Sequence, residues 1–157
     1  MWNVFNKKKS QVALGAIGEG KLMDLSDVKD DAFASKSMGD GYALALCGNV
    51  IYAPCDGEII ACFPGGHALG LQHDDLEIMI HIGIDTVELA GEGFRVLVNA
   101  NDHVNAGQPL VEVDSERILA QGYDLTSMVI VTSGQAVTIT KSLDDVHPLQ
   151  EVATCSL

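Results

Sequence analysis

The sequence predicts an all-β fold, a sandwich or barrel of short antiparallel strands. Short apolar segments recur along the chain between turns rich in glycine and aspartate, which is the pattern expected of such folds. Helical periodicity of apolar residues is nearly absent. The chain has 157 residues, of which 47% are hydrophobic, and this is enough to bury one hydrophobic core.

Each predicted strand runs from one turn to the next. We expect strands at 21–25, 42–46, 50–53, 58–63, 67–72, 76–82, 94–98, 109–113, 127–132 and 136–140. The Asp56-Gly57 pair predicts a hairpin turn, because glycine adopts positive φ without steric cost. One short connecting helix is predicted at 115–120, with Asp114 as its N-cap and Gly122 just beyond its end.

The two ends of the chain are predicted to differ. Residues 1–18 carry a lysine cluster and a short, glycine-broken apolar stretch, which predicts a flexible tail ahead of a domain at 19–157. That stretch is too short to span a membrane, so no stable membrane insertion is expected.

Charge and cysteine content restrict the partners and the compartment. The net charge is −13, from 9 basic and 22 acidic residues, which excludes nucleic acid as a partner because phosphate backbones require clustered lysine and arginine. The four cysteines form no C-x-x-C pair and follow no secretory signal. We expect reduced thiols in a cytoplasmic protein.

The most informative feature is a histidine in an apolar strand. His81 interrupts the apolar run 78–89, where a desolvated imidazole needs a hydrogen-bond partner. A second histidine, His67, lies on the preceding predicted strand. If the two strands form a hairpin around the polar turn 73–75, the histidines lie at matched depth on opposite arms, and antiparallel pairing brings their rings together.

These residues also carry a family resemblance. The motifs occur in order at Phe33, Gly39-Asp40-Gly41, Ala53-Pro54, Asp56-Gly57, Gly66-His67-Ala68, the run 80–89, and Gly91-Glu92-Gly93-Phe94. Together they resemble the glucose-class enzyme IIA domain of the bacterial sugar phosphotransferase system, over roughly residues 33–131. So many ordered pieces are far more specific than one short motif.

The resemblance implies a fold and a function. The fold is a β-sandwich of hybrid motifs, and the segment 102–113 has the turn-then-strand pattern of lipoyl- and biotinyl-like domains. The function is that of a phosphoryl carrier: His81 accepts from the histidine phosphocarrier protein and passes the group to a cysteine of an enzyme IIB domain of a sugar permease. His67 matches the supporting histidine. Regulated transporters or kinases are implied as further partners.

The resemblance also implies a docking surface. Apolar positions that meet partners in the family are Phe33, Met38, Phe63, Met79 and Val87. Asp30 and Asp85 match acidic positions that meet basic groups on the phosphocarrier, although both also suit ordinary turn chemistry.

Three features depart from the family pattern. Gly65 replaces a threonine often found two residues before the supporting histidine, which removes a hydroxyl that could orient His67. Met79 and Ile82 replace aromatic residues beside His81, and residues from 134 onward do not follow the usual closing pattern.

Two alternatives remain open from the residues. A zinc-dependent hydrolase of related β fold would use histidine ligands, but its paired H-x-H motif is missing around His81. A regulator without relay activity would report phosphorylation through a change of charge near its docking face. No cofactor is required by the relay, and an optional zinc ion shared by His67, His81 and a partner carboxylate is implied by resemblance.

Overall fold

The structure is a computed structural model that describes residues 10–157. Its strands pair antiparallel, which confirms the predicted all-β class. The strands are β1 (Gln11–Gly15), β2 (Gly20–Asp24), β3 (Asp40–Leu46), β4 (Val50–Tyr52), β5 (Gly57–Cys62), β6 (Ala68–His73), β7 (Leu76–His81), β8 (Phe94–Val96), β9 (His103–Val104), β10 (Pro109–Val113), β11 (Thr126–Val131), β12 (Val137–Ile139), β13 (Asp145–Val146) and β14 (Glu151–Ser156). The helices are α1 (Asp31–Ala34) and α2 (Ser115–Ala120), and 3₁₀ turns occur at Leu25–Asp27 and Thr86–Leu89.

The strands form three sheets. The eight-stranded sheet has the order β13-β2-β3-β11-β7-β6-β5-β9, and the two three-stranded sheets have the orders β1-β14-β12 and β4-β10-β8. The strand order shows that β11 lies between β3 and β7 in the middle of the large sheet. This position explains why all six residues of β11 are buried.

The two faces of the large sheet bury different apolar groups. One face belongs to the large core, which draws on all three sheets and includes Leu14, Leu44, Ile51, Leu71, Ile78, Ile80, Val129 and Val152. The other face carries a small cluster, which consists of Leu25, Val28, Phe33, Ala43, Ile84, Met128 and Ile130. Part of this second face is therefore covered by residues from the 3₁₀ turn at Leu25–Asp27 and from α1.

The N-terminal boundary of the domain was predicted wrongly. Residues 1–9 of the predicted tail lie outside the described residues, but β1 pairs with β14, and Leu14 is fully buried. Ile17 is also buried, at 1% exposure. The sequence did not reveal this strand because its partner lies at the far end of the chain.

The local predictions for turns and helices had mixed outcomes. The helix at 115–120 is confirmed as α2, with the Asp114 side chain accepting a hydrogen bond from the Arg117 N–H. The Asp56-Gly57 hairpin prediction is wrong, because β4 pairs with β10 while β5 pairs with β6 and β9. Asp56 instead accepts a hydrogen bond from the Ala106 N–H at 2.7 Å.

Within residues 10–157, the helices are too short and too polar for any of them to cross a bilayer.

Candidate active site

His81 is the last residue of β7 and lies on the face of the sheet that carries the small cluster. It stands opposite Met128 of β11 and Ala68 of β6. Its Nδ1 lies 2.9 Å from the carbonyl oxygen of Gly83. Because a carbonyl can only accept, Nδ1 carries the proton in this hydrogen bond, and Nε2 of the neutral ring keeps a free lone pair.

His67 approaches His81 by a different route from the one predicted. Strand β6 begins at Ala68, so the prediction that His67 is a strand residue is wrong. The preceding Gly65 and Gly66 have φ values of 94° and 82°, and these turn the chain as it enters the strand. The His67 carbonyl accepts a hydrogen bond from the Ile82 N–H at 2.7 Å.

The two imidazole rings nevertheless meet as expected. Their centroids are 5.3 Å apart and their planes meet at 79°. Strict alternation would place His67 on the opposite face from His81, because His81 is paired with the next residue, Ala68. The departure from strand geometry at His67 therefore accounts for the contact.

Both histidines favour the neutral form. The pKa of His81 is lowered chiefly by burial, and also by His67, against the opposing effects of the Gly83 carbonyl, Asp30 and Asp85. The pKa of His67 is lowered by burial, against a hydrogen bond to the Pro64 carbonyl. A neutral imidazole has the free lone pair that a nucleophile requires.

The apolar residues predicted around the pair fall into two groups. The Phe33 ring packs 5.0 Å from the His81 ring, and Phe33 is only 6% exposed. Met38, Phe63 and Val87 are 41%, 42% and 58% exposed, while Met79 is half-buried. Phe33 thus lies beneath His81 as packing, and the other four present apolar surface to solvent.

The two acidic residues occupy turns beside the site. Asp30 is the N-cap of α1, and its carboxylate accepts a hydrogen bond from the Ala32 N–H at 3.0 Å. Asp85 precedes the second 3₁₀ turn with φ 59° and makes no side-chain capping hydrogen bond. The exposed Asp85 carboxylate is therefore available for other contacts.

Sequence reasoning missed the polar residues that surround Gly83. Ser127 is fully buried, and its hydroxyl oxygen accepts a hydrogen bond from the Gly83 N–H at 3.3 Å. Thr86 is 1% exposed, and its hydroxyl donates to the Ile82 carbonyl. The available signal was Ser127 itself, a hydroxyl directly before the apolar run 128–131 of a predicted strand.

Two imidazole side chains, those of His67 and His81, are available at the site as ligands for a metal ion. In the described part of the chain, no group of three histidine, cysteine, aspartate or glutamate side chains is arranged to hold a metal.

The sequence of this chain matches one protein family over most of its length. Residues 12–137 match the family described as phosphoenolpyruvate-dependent sugar phosphotransferase system, EIIA 1. The chain belongs to this family. It is thus related to the EIIA 1 domains of the phosphoenolpyruvate-dependent sugar phosphotransferase system.

Two curated relatives support the family assignment. The glucose-specific EIICBA component of Staphylococcus saprophyticus is 42% identical over 128 residues, which are 81% of this chain and 19% of that protein. The glucoside-specific EIICBA component of Staphylococcus carnosus is 41% identical over 121 residues, which are 76% of this chain and 18% of that protein. This chain thus spans about a fifth of the length of these relatives.

A solved structure matches almost the whole chain. Glucose permease IIA from Mycoplasma capricolum has a TM-score of 0.87 and 33% sequence identity, over 98% of this chain and 99% of that one. This match extends the likeness beyond the range of the family profile, into the closing strands of the IIA domain.

Proposed function

We propose that His81 accepts a phosphoryl group on Nε2 from the histidine phosphocarrier protein and passes it to a cysteine of an enzyme IIB domain. In the first step the P–N bond of the donor breaks as a P–Nε2 bond forms; in the second, that bond breaks as a P–S bond forms. The hydrogen bond from His81 Nδ1 to Gly83 carries the proposal, because it leaves Nε2 as the nucleophilic nitrogen.

His67 stabilises the phosphoryl group in this proposal. In the neutral ring of His67 one nitrogen carries a proton and the other carries a lone pair. Arrival of a dianionic phosphoryl group beside His67 favours protonation of that nitrogen. The resulting N–H then donates to a phosphoryl oxygen, which stabilises charge in the transition state.

We assign the docking surface to four apolar residues with exposed or half-exposed side chains, which are Met38, Phe63, Met79 and Val87. An apolar surface excludes water that would hydrolyse the phosphohistidine. Asp30 and Asp85 lie near enough to His81 to influence its pKa. We assign these carboxylates to basic groups of the phosphocarrier, and the net charge of −13 favours association with a basic partner.

The relatives support an enzyme IIB partner, because both are named EIICBA components, and this chain matches only about a fifth of their length. The relay itself requires no cofactor. We retain the zinc ion shared with a partner carboxylate as a separate prediction for regulated complexes, and we place the relay in the cytoplasm, where its phosphoryl donor would act.

The proposal is tested by reconstitution with phosphoenolpyruvate, enzyme I, the phosphocarrier and an enzyme IIB domain. We expect one acid-labile phosphoryl group per chain. His81→Ala abolishes labelling, because it removes the acceptor nitrogen, whereas His67→Ala still accepts the group but fails to donate it onward. His103→Ala is the control, because the His103 side chain is 85% exposed and its Nε2 lies 3.7 Å from the Glu58 carboxylate, outside the histidine pair.

Labelling of His81→Ala at the wild-type level would contradict the assignment of the acceptor. Normal onward transfer by His67→Ala would remove its proposed role. A protein that accepts the group but never transfers it to any enzyme IIB domain would instead fit the regulator.

A further inference from the structure

We propose that Ser127 is a positioning residue for phosphoryl transfer, because its buried hydroxyl holds the Gly83 backbone that fixes the orientation and tautomer of His81. The inference rests on the proposed function, in which Nε2 of His81 is the acceptor. It assigns a role to a side chain that acts on the His81 ring through the backbone of Gly83 rather than by direct contact with the phosphoryl group.

Hydrogen bonds hold the backbone on both sides of Gly83. Its N–H donates to the Ser127 hydroxyl oxygen at 3.3 Å, and the Ser127 hydroxyl donates to the Leu125 carbonyl at 3.0 Å. The next peptide N–H, that of Ile84, donates to the Asp124 carbonyl at 2.9 Å. That same peptide carries the Gly83 oxygen, which accepts the proton of His81 Nδ1 at 2.9 Å.

The backbone conformation at position 83 admits only glycine. Its φ of 79° lies in the left-handed region, and a Cβ there would lie 2.5 Å from Thr86 Cγ2 and 3.1 Å from the Asp124 oxygen. Ser127 is fully buried on β11, between Thr126 and Met128, so water does not replace its hydroxyl. Loss of that hydroxyl leaves the Gly83 N–H without its acceptor and releases the backbone on which the His81 hydrogen bond depends.

The test compares two variants of equal shape. Ser127→Thr keeps the hydroxyl, Ser127→Val replaces it with a methyl group, and both add the same volume to the buried site. We expect phosphorylation of Ser127→Val by the phosphocarrier to be about tenfold slower than that of Ser127→Thr, because a misplaced nucleophile reacts slowly. Thr132→Val is the control, since the Thr132 hydroxyl donates to the Glu77 carbonyl at the other end of β11.

A second readout separates positioning from loss of structure. Nitrogen NMR of the folded proteins reports which ring nitrogen of His81 carries the proton. We expect Nδ1–H in the wild type and in Ser127→Thr, and a mixture of tautomers in Ser127→Val. Ser127→Ala, which adds no volume, serves for the same measurements if Ser127→Val does not fold.

Equal labelling rates and identical tautomers in the threonine and valine variants would overturn the inference, provided that His81→Ala remains unlabelled. Labelling of His81→Ala would overturn the proposed function instead, whatever the Ser127 variants show. A slower valine variant with the wild-type tautomer would also overturn the positioning role as stated.

Discussion

The apolar residues on the two faces of the eight-stranded sheet have different roles. On β7, Ile78 and Ile80 point into the large core at 1% and 0% exposure, whereas the alternate residues Met79 and His81 are half-buried on the face of the small cluster. The large core joins all three sheets, while the small cluster supports the histidine pair through Phe33. Strand alternation thus separates the residues that stabilise the fold from those that present its chemistry.

The largest effect on stability is expected in a comparison of two neighbouring residues of β7. Ile78→Ala should lower the free energy of unfolding by roughly 2–5 kcal/mol, because it opens a cavity in the large core. Met79→Ala should cost clearly less, since its side chain is half-buried, yet it should slow phosphoryl transfer from the phosphocarrier. Denaturant unfolding measures the loss of stability, and the labelling rate per folded molecule measures the effect on transfer. Equal losses of stability in the two variants would contradict the different roles of the two faces.

A smaller effect is expected at Gly65, where the chain departs from the family pattern. Its φ of 94° and a Cβ position 3.2 Å from the Gly91 nitrogen disfavour a β-branched residue. Gly65→Thr should therefore cost roughly 1–3 kcal/mol of stability and slow onward transfer by displacing His67. Denaturant unfolding and transfer to an enzyme IIB domain measure the two consequences.

Gly134→Thr is the matched control for Gly65→Thr. Gly134 has a φ of 100° with no atom within 4 Å of its Cβ position, so it shares the backbone strain but lies in open space. We expect Gly134→Thr to lose stability with no change in transfer. Faster transfer by Gly65→Thr would show that a threonine hydroxyl assists His67 despite the strained backbone.

The smallest effect is a dependence of stability on pH. The pKa values of His67 and His81 are lowered in the folded protein, chiefly by burial, so the unfolded chain binds protons first as the pH falls. Their contribution to stability is complete above the ordinary histidine pKa of about 6.5 and is lost as the pH falls through the folded values.

Denaturant unfolding between about pH 7.5 and pH 5 measures this dependence on either side of the ordinary histidine pKa. The double variant His67→Gln, His81→Gln should flatten the curve, and it is compared with His103→Gln, at a side chain 85% exposed. An unchanged slope in the double variant would mean that the two histidines titrate alike in the folded and unfolded chain.

Local sequence signals predicted most of the strands and α2, but not every pairing. The turn residues around 67–82 predicted the β6–β7 hairpin, and Asp114 and Gly122 marked the ends of α2. Strand β1 was missed, because an exposed–buried alternation of five residues becomes a strand here only through pairing with β14. The Asp56-Gly57 prediction failed because turn propensity does not specify which strands pair.

The sequence by itself was enough to predict the all-β class, to indicate the family and to select the two histidines as candidate site residues. Strand alternation, turn chemistry and ordered motifs can all be recognised from residues that are neighbours in the sequence. Only the tertiary structure decided how those histidines meet, since His67 reaches His81 by leaving strand geometry at Gly65 and Gly66. The hydrogen bond between Ser127 and Gly83 and the contact between the Phe33 and His81 rings also emerged only there. Their positions depend on contacts between segments distant in sequence, and such contacts are fixed by packing rather than by local propensity.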